Sequence, residues 1–254
     1  MKLYRIFSLL ILSITLNSCA TGVKSRSLLF RSNEFAIYTV NRDKINLKSE
    51  TSVSKTFAHP VELTEDKVLD LLGNIRFREE SSYGDVNRYV FEEKEIKEFA
   101  LDLVDGLQKL KPDQLLLVIS KYNPVRSVVS HYARTGFYIW SSETSIEILF
   151  GELQKEVTYD EQGNYYDWSN IPDIPFEHFP QSTYILQGQG FSFKKVSGFR
   201  NKHWLVFDKT DLAKLKFEKR KKTTIPEVTN SVDADLKPEK KISRDEEEGI
   251  VNEE

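Results

Sequence analysis

The chain has 254 residues, a formal net charge of -3, 39% hydrophobic and 30% charged residues, and one cysteine. A single cysteine excludes a disulfide framework, and a mildly acidic balance leaves no electrostatic footprint for nucleic acid. The length suits one domain with a sizeable core, flanked by segments too polar to join it.

The first predicted element lies at the amino terminus. Lys2 and Arg5 form a short positive head, and an apolar stretch runs from Ile6 to Leu16. This has the form of a signal peptide. It is too short to span a bilayer as a helix, which takes ~20 apolar residues.

The stretch ends in Leu16-Asn17-Ser18-Cys19. This resembles a lipobox, with Leu three residues before Cys and a small residue immediately before it. Asn17 departs from the stricter form, and relaxed boxes of this kind resemble those of spirochaetal lipoproteins. The resemblance implies that residues 1–18 are a lipoprotein signal peptide and that Cys19 is acylated as the first mature residue. Several acyl chains hold a protein on a membrane where one binds only marginally, at about 0.8 kcal/mol per buried CH₂. Loss of residues 1–18 removes Lys2 and Arg5 and moves the formal net charge from -3 to -5. Ala20 and Thr21 follow the cysteine, where an inner-membrane retention signal resembles an acid. The expected address is therefore the cell envelope, at the outer membrane.

Residues 19–27 read as a lipidated tether and 28–217 as the folded body. Residues 28–41 predict a strand, with Phe35, Ile37 and Thr39 alternating against Ala36, Tyr38 and Val40. Thr64 is an expected N-cap, with Glu65 and Asp66 in the first turn, a Leu63/Val68 staple, and Gly73 closing the helix. Ile75 to Arg78 predicts a short strand and 79–90 a polar loop. From Phe91 to Leu110 the apolar residues Ile96, Phe99, Ala100, Leu103, Val104, Leu107 and Leu110 fall on one helical face. Glu92, Glu93, Lys94, Glu95, Lys97, Asp102 and Asp105 are expected on the solvated face.

Leu115 to Ser120 is a nearly continuous apolar run, as in a strand buried on both faces. Val125–Ser130, Gly136–Trp140 and Ser145–Phe150 predict successive antiparallel strands. Asp160–Asn164 reads as a turn, and three prolines make 165–181 an irregular loop. Tyr184–Leu186, Phe191–Val196 and His203–Phe207 are expected to close the sheet, and Lys209–Phe217 to form a short terminal helix. Residues 218–254 have no aromatic residue and read as a charged, disordered tail. Lys214, Lys216, Lys219, Arg220, Lys221 and Lys222 form a basic run at its start. The fold class is therefore α+β: one mixed or antiparallel sheet with two packed helices.

The HPVELT entry to a short helix, the amphipathic helix with LLLVIS, and the GFYIW…IEILFGEL segment together resemble a group of uncharacterised bacterial lipoproteins. The resemblance covers roughly residues 57–153 and implies no activity, because these motifs are structural.

Chemistry-bearing motifs are sparse. His59, His131, His178 and His203 show no metal-ligand spacing, and no cofactor or metal is expected. Glu143, Glu147, Glu152, Asp160, Asp167 and Asp173 could supply two opposed carboxylates for glycoside hydrolysis. Tyr165, Tyr166, Trp168, Phe176 and Phe179 crowd one loop with Asn and Asp nearby, the composition of a sugar- or peptide-binding surface. The alternative is that these rings fold back and seal the sheet. Three functions follow in order: a non-enzymatic structural or adaptor protein of the envelope, with a protein partner; a binding module for glycan or host ligand using the 165–180 loop; an envelope hydrolase.

Overall fold

The computed structural model describes residues 26–45, 53–54, 56–82, 84–123, 132–157, 167–177, 181–220 and 227–229. The signal segment, Cys19, the expected Val125–Ser130 strand and the Asp160–Asn164 turn lie outside the described residues, as do most positions beyond Arg220.

The fold is α+β, with two helices against a seven-stranded antiparallel sheet. The sheet contains β1 (Arg26–Arg31), β2 (Phe35–Asn41), β5 (Gln114–Tyr122), β6 (Ala133–Ser141), β7 (Ser145–Glu156), β10 (Phe199–Asp208) and β9 (Ser192–Val196), in that spatial order. A second antiparallel sheet joins β8 (Thr183–Ile185), β3 (Arg76–Glu79) and β4 (Asp85–Tyr89), with β11 (Glu227–Thr229) against the outer edge of β4.

Helix α1 (Glu65–Leu72) starts at Thr64, whose hydroxyl accepts from the Lys67 amide at 3.3 Å, and ends at Gly73. Helix α2 (Glu93–Lys109) starts with a capping box between Glu92 and Glu95. Its stripe is buried as the spacing requires: Ile96, Phe99, Ala100, Leu103 and Leu107 are all at most 2% exposed. These side chains pack on Phe35, Ile37, Leu116, Val118, Phe137 and Ile139, the alternate residues of β2, β5 and β6.

The opposite face of the sheet is also buried, under segments without regular structure. Leu115, Leu117 and Ile119 of β5 point to this side with Tyr138, Trp140 and Trp204. Val53 and Phe57 cover one part of it, and Ile171, Ile174 and Phe176 another. Two glycines make room for the second cover. A Cβ on Gly136 would stand 2.5 Å from Ile171 Cδ1, and one on Gly151 would stand 2.5 Å from Ile174 Cγ1.

Four sequence expectations are corrected. The stretch 28–41 is a hairpin rather than one strand, because Ser32 and Glu34 turn the chain: the Ser32 hydroxyl accepts from the Glu34 and Phe35 amides at 3.0 and 3.1 Å. The polar loop 79–90 contains β4, a strand of the smaller sheet. Tyr184 and its neighbours enter that smaller sheet and do not extend the main one.

The fourth correction concerns the terminal helix expected over Lys209–Phe217. Only Leu212–Lys214 makes a 3₁₀ turn, and the chain then runs extended across α1. Side chains of the body bind its backbone there. Lys67 Nζ donates to Leu212 O at 3.1 Å, Asn74 Nδ2 to Lys216 O at 2.7 Å, and the Phe217 amide to Asp70 Oδ1 at 2.8 Å. The docked strap runs past the expected boundary at residue 217. Arg220 lies 3.7 Å over the Tyr89 ring, donates to Gly73 O, and pairs with Glu92 at 3.3 Å.

Candidate functional site

The aromatic 165–180 loop carries the ligand-site candidates. Of its five candidate residues, Tyr165, Tyr166 and Phe179 lie outside the described residues. Phe176 is 2% exposed, stacked on Tyr138 with centroids 5.7 Å apart and edge-on to Trp204 at 5.4 Å. The structure thus corrects its assignment to a ligand surface: the ring is core. Trp168 is half-buried and remains at the surface, with the Arg31 and Lys121 cations over its faces at 5.7 and 4.8 Å.

The described part of the loop is held by a chain of polar contacts. Asp167 accepts two hydrogen bonds from Arg31, at 2.8 and 3.2 Å, and two from Ser169, from its amide at 3.0 Å and its hydroxyl at 2.7 Å. These bonds outweigh partial burial and hold the Asp167 carboxyl down at about 2. The Ser169 and Tyr38 hydroxyls share a hydrogen bond of 2.6 Å. Beneath them Arg134, whose side chain is 2% exposed, donates to Trp168 O at 2.9 Å and forms a bidentate pair with Glu152 at 2.6 and 3.2 Å.

The remaining carboxylate candidates are dispersed. Glu147 accepts from Trp204 Nε1 at 2.8 Å and Ser142 Oγ at 2.9 Å, and faces Lys194 at 3.4 Å. Glu152 belongs to Arg134, and Asp167 to Arg31. Asp173 is exposed, and Asp160 lies outside the described residues. Among the histidines, His203 Nε2 bonds to Thr183 O at 2.7 Å. His59 sits edge-on to Phe57, and neither of its ring nitrogens has a hydrogen-bond partner among the described residues. Burial, helped by the Lys209 charge, pushes His59 down to about 4. His131 and His178 lie outside the described residues. No three metal-ligating side chains meet among the described residues.

Among the described residues there is a groove of about 620 Å³, within the ~300–1,000 Å³ of small-ligand sites. It opens where β7 and β10 part. The two strands pair from Leu149 and Trp204 back to Ser145 and Asp208. Beyond that point the wall from Gly151 to Glu156 faces Ile171–Pro175 on one side and Thr183 and His203 on the other. The loop singled out in the sequence therefore does border a groove, through its proline-flanked stretch and not its rings.

A second hollow of about 240 Å³ lies over Glu95, with Ser120, Lys121, Tyr122 and Tyr132 on its walls. Glu95 was expected on the solvated face of α2, yet it is 6% exposed. As the third residue of the helix it is drawn inward by two bonds. Its carboxyl accepts from the Glu92 amide at 3.1 Å and from Ser120 Oγ at 2.6 Å. Burial raises it to about 7 against these bonds, with Glu92 adding to the rise and Arg220 opposing it.

A pH prediction follows. The folded state holds the Glu95 proton about 2.5 pH units more tightly than an ordinary carboxyl at 4.5. Stability from this group is complete below pH 4.5 and is lost as pH rises toward 7, by about 3 kcal/mol. His59 acts in the opposite sense: its depressed value favours the folded state as pH rises from about 4 to 6.5. The difference between parent and Glu95→Gln therefore isolates the carboxyl. The variant should gain relative stability steadily from pH 4.5 to 8, read by paired thermal melts. Parallel pH profiles would show that Glu95 is not buried as described.

No family model, curated protein or solved structure matches this chain.

Proposed function

We propose that the chain is a lipid-anchored protein of the bacterial cell envelope, held on the outer membrane by acyl chains on Cys19. Its folded domain acts through contacts with a protein partner, in a structural or adaptor role. The observation that carries this reading is Leu16-Asn17-Ser18-Cys19 after a charged head and an apolar core, with the chain's sole cysteine at the position lipidation uses. No helix among the described residues is long and apolar enough to cross a membrane.

The adaptor role draws support from how reactive side chains are used. Glu147, Glu152, Asp167 and the Glu95–Ser120 pair each hold part of the fold in place. A second reading, a ligand-binding domain, is favoured by the 620 Å³ groove between β7 and the 171–175 stretch.

Cys19→Ser tests the anchor. The parent should partition into the detergent phase and co-fractionate with outer membrane. The variant should be recovered in the aqueous phase. Equal partitioning of both chains would reject lipidation at Cys19, and a parent found in the inner membrane would reject the assigned address.

A further inference from the structure

One face of the β1 edge combines features suited to a membrane surface. Cross-strand partners project to the same side of a sheet. Arg26, Leu28 and Arg31 pair with Val40, Tyr38 and Ala36, all of which belong to the core under the irregular cover. Arg26, Leu28 and Arg31 therefore emerge on that face, at the sheet's first edge. Lys121, two residues after Ile119 on β5, emerges there too and lies over the rings of Trp168 and Tyr132.

Leu28 is 52% exposed, an apolar side chain with no cover on an edge strand. Arg26 is held by the Tyr38 ring at 5.0 Å and by the Asn170 amide oxygen at 3.0 Å. The Tyr38 ring and the Asn170 amide position Arg26, and the Trp168 and Tyr132 rings position Lys121, which also feels the Glu34 charge. Arg31 bonds Asp167 and lies over Trp168, with over a third of its side chain in solvent. Tryptophan and tyrosine beside arginine and lysine are the residues that settle at the headgroup level of bilayers.

Chain length points to the same occupant. Seven residue steps separate Cys19 from Arg26, so even a fully extended connection reaches only about 25 Å. The acylated end of the chain therefore keeps the start of β1 within that distance of the lipid.

We propose that the Arg26/Leu28/Arg31/Lys121/Trp168 face rests on the phospholipid headgroup layer of the membrane in which Cys19 is anchored. The inference rests on the proposed lipidation. It gives the domain a fixed orientation: β1 toward the bilayer, and the β9–β10 hairpin with its exposed Phe199 away from it.

Tryptophan emission reads this contact, because Trp140 and Trp204 are each 1% exposed and only Trp168 reaches the surface. The lipidated full chain is placed in phosphatidylcholine vesicles containing a headgroup spin-labelled lipid. Emission should be quenched in the parent, and Trp168→Phe should remove that quenching. In the Trp168→Phe background, Phe199→Trp puts a reporter at the opposite edge of the sheet, and it should stay unquenched. A parent that floats with the vesicles but is not quenched overturns the orientation and leaves the anchor intact. Equal quenching of the Phe199→Trp reporter overturns it as well, since the domain then tumbles freely. A parent that does not float with the vesicles overturns the anchor and this inference together.

Discussion

A chain carrying Leu103→Asp is expected not to fold. Leu103 is fully buried at the centre of the α2 stripe, between the helix and the residues of β2 and β5 that face it. The substitution removes a packed side chain, which alone costs about 2–5 kcal/mol. It also places a carboxylate among buried apolar side chains, adding several kcal/mol or forcing the group to take up a proton. Folded domains have only ~5–15 kcal/mol of stability, so the sum takes most or all of it. Far-ultraviolet circular dichroism with a thermal melt checks this. A cooperative transition within a few degrees of the parent would mean that the stripe is an exposed interaction face.

The second large effect is expected at Glu152. Arg134 has almost no contact with solvent, and Glu152 supplies two of its bonds. Glu152→Ala removes two charge-assisted bonds from a buried guanidinium, and breaking a buried pair costs about 3–5 kcal/mol. The damage should be local as well as global. Arg134 also holds Trp168 O, so protease sensitivity between Asp167 and Glu177 should rise in the variant. Replacing both partners, as Arg134→Met with Glu152→Leu, removes the buried charges together and should recover much of the loss. The double variant separates loss of the ion pair from simple loss of packing. A loss below about 1 kcal/mol for Glu152→Ala would place the pair in solvent.

What the sequence reveals and conceals has physical causes. The α2 stripe was legible because seven apolar residues repeat at helical spacing with charges between them. LLLVIS was legible because a strand covered on both faces has no polar alternation. The Ser32–Glu34 turn was hidden because apolar residues lie on both sides of it, so a hairpin reads as one strand. β4 was hidden because Asp85–Tyr89 is only half-covered and lacks an apolar face. Leu212, Leu215 and Phe217 mimic a helical stripe, but hydrogen bonds with Lys67, Asn74 and Asp70 hold the backbone extended. Those partners lie more than 140 residues away in the chain.

The candidate site was less legible than the fold for the same reason. A proline-rich aromatic loop can present its rings to a ligand or fold them back onto the sheet, and the fate of Phe176 depended on distant partners. Gly136 and Gly151 are small because Ile171 and Ile174 sit on them, a relation visible only once the loop lies across the sheet. Glu95 read as one more helix-surface acid, and its partner Ser120 is 25 residues further on. The groove between β7 and the 171–175 stretch left no sequence signal, since it arises where paired strands part.

The anchor is the claim on which localisation, orientation and mode of action all depend. Intact mass of the protein extracted from membranes tests it most directly. The expected species begins at Cys19, lacks residues 1–18, and exceeds the polypeptide mass by the acyl groups of a processed lipoprotein. A chain that retains Met1, or one with a free thiol at Cys19, would contradict the account.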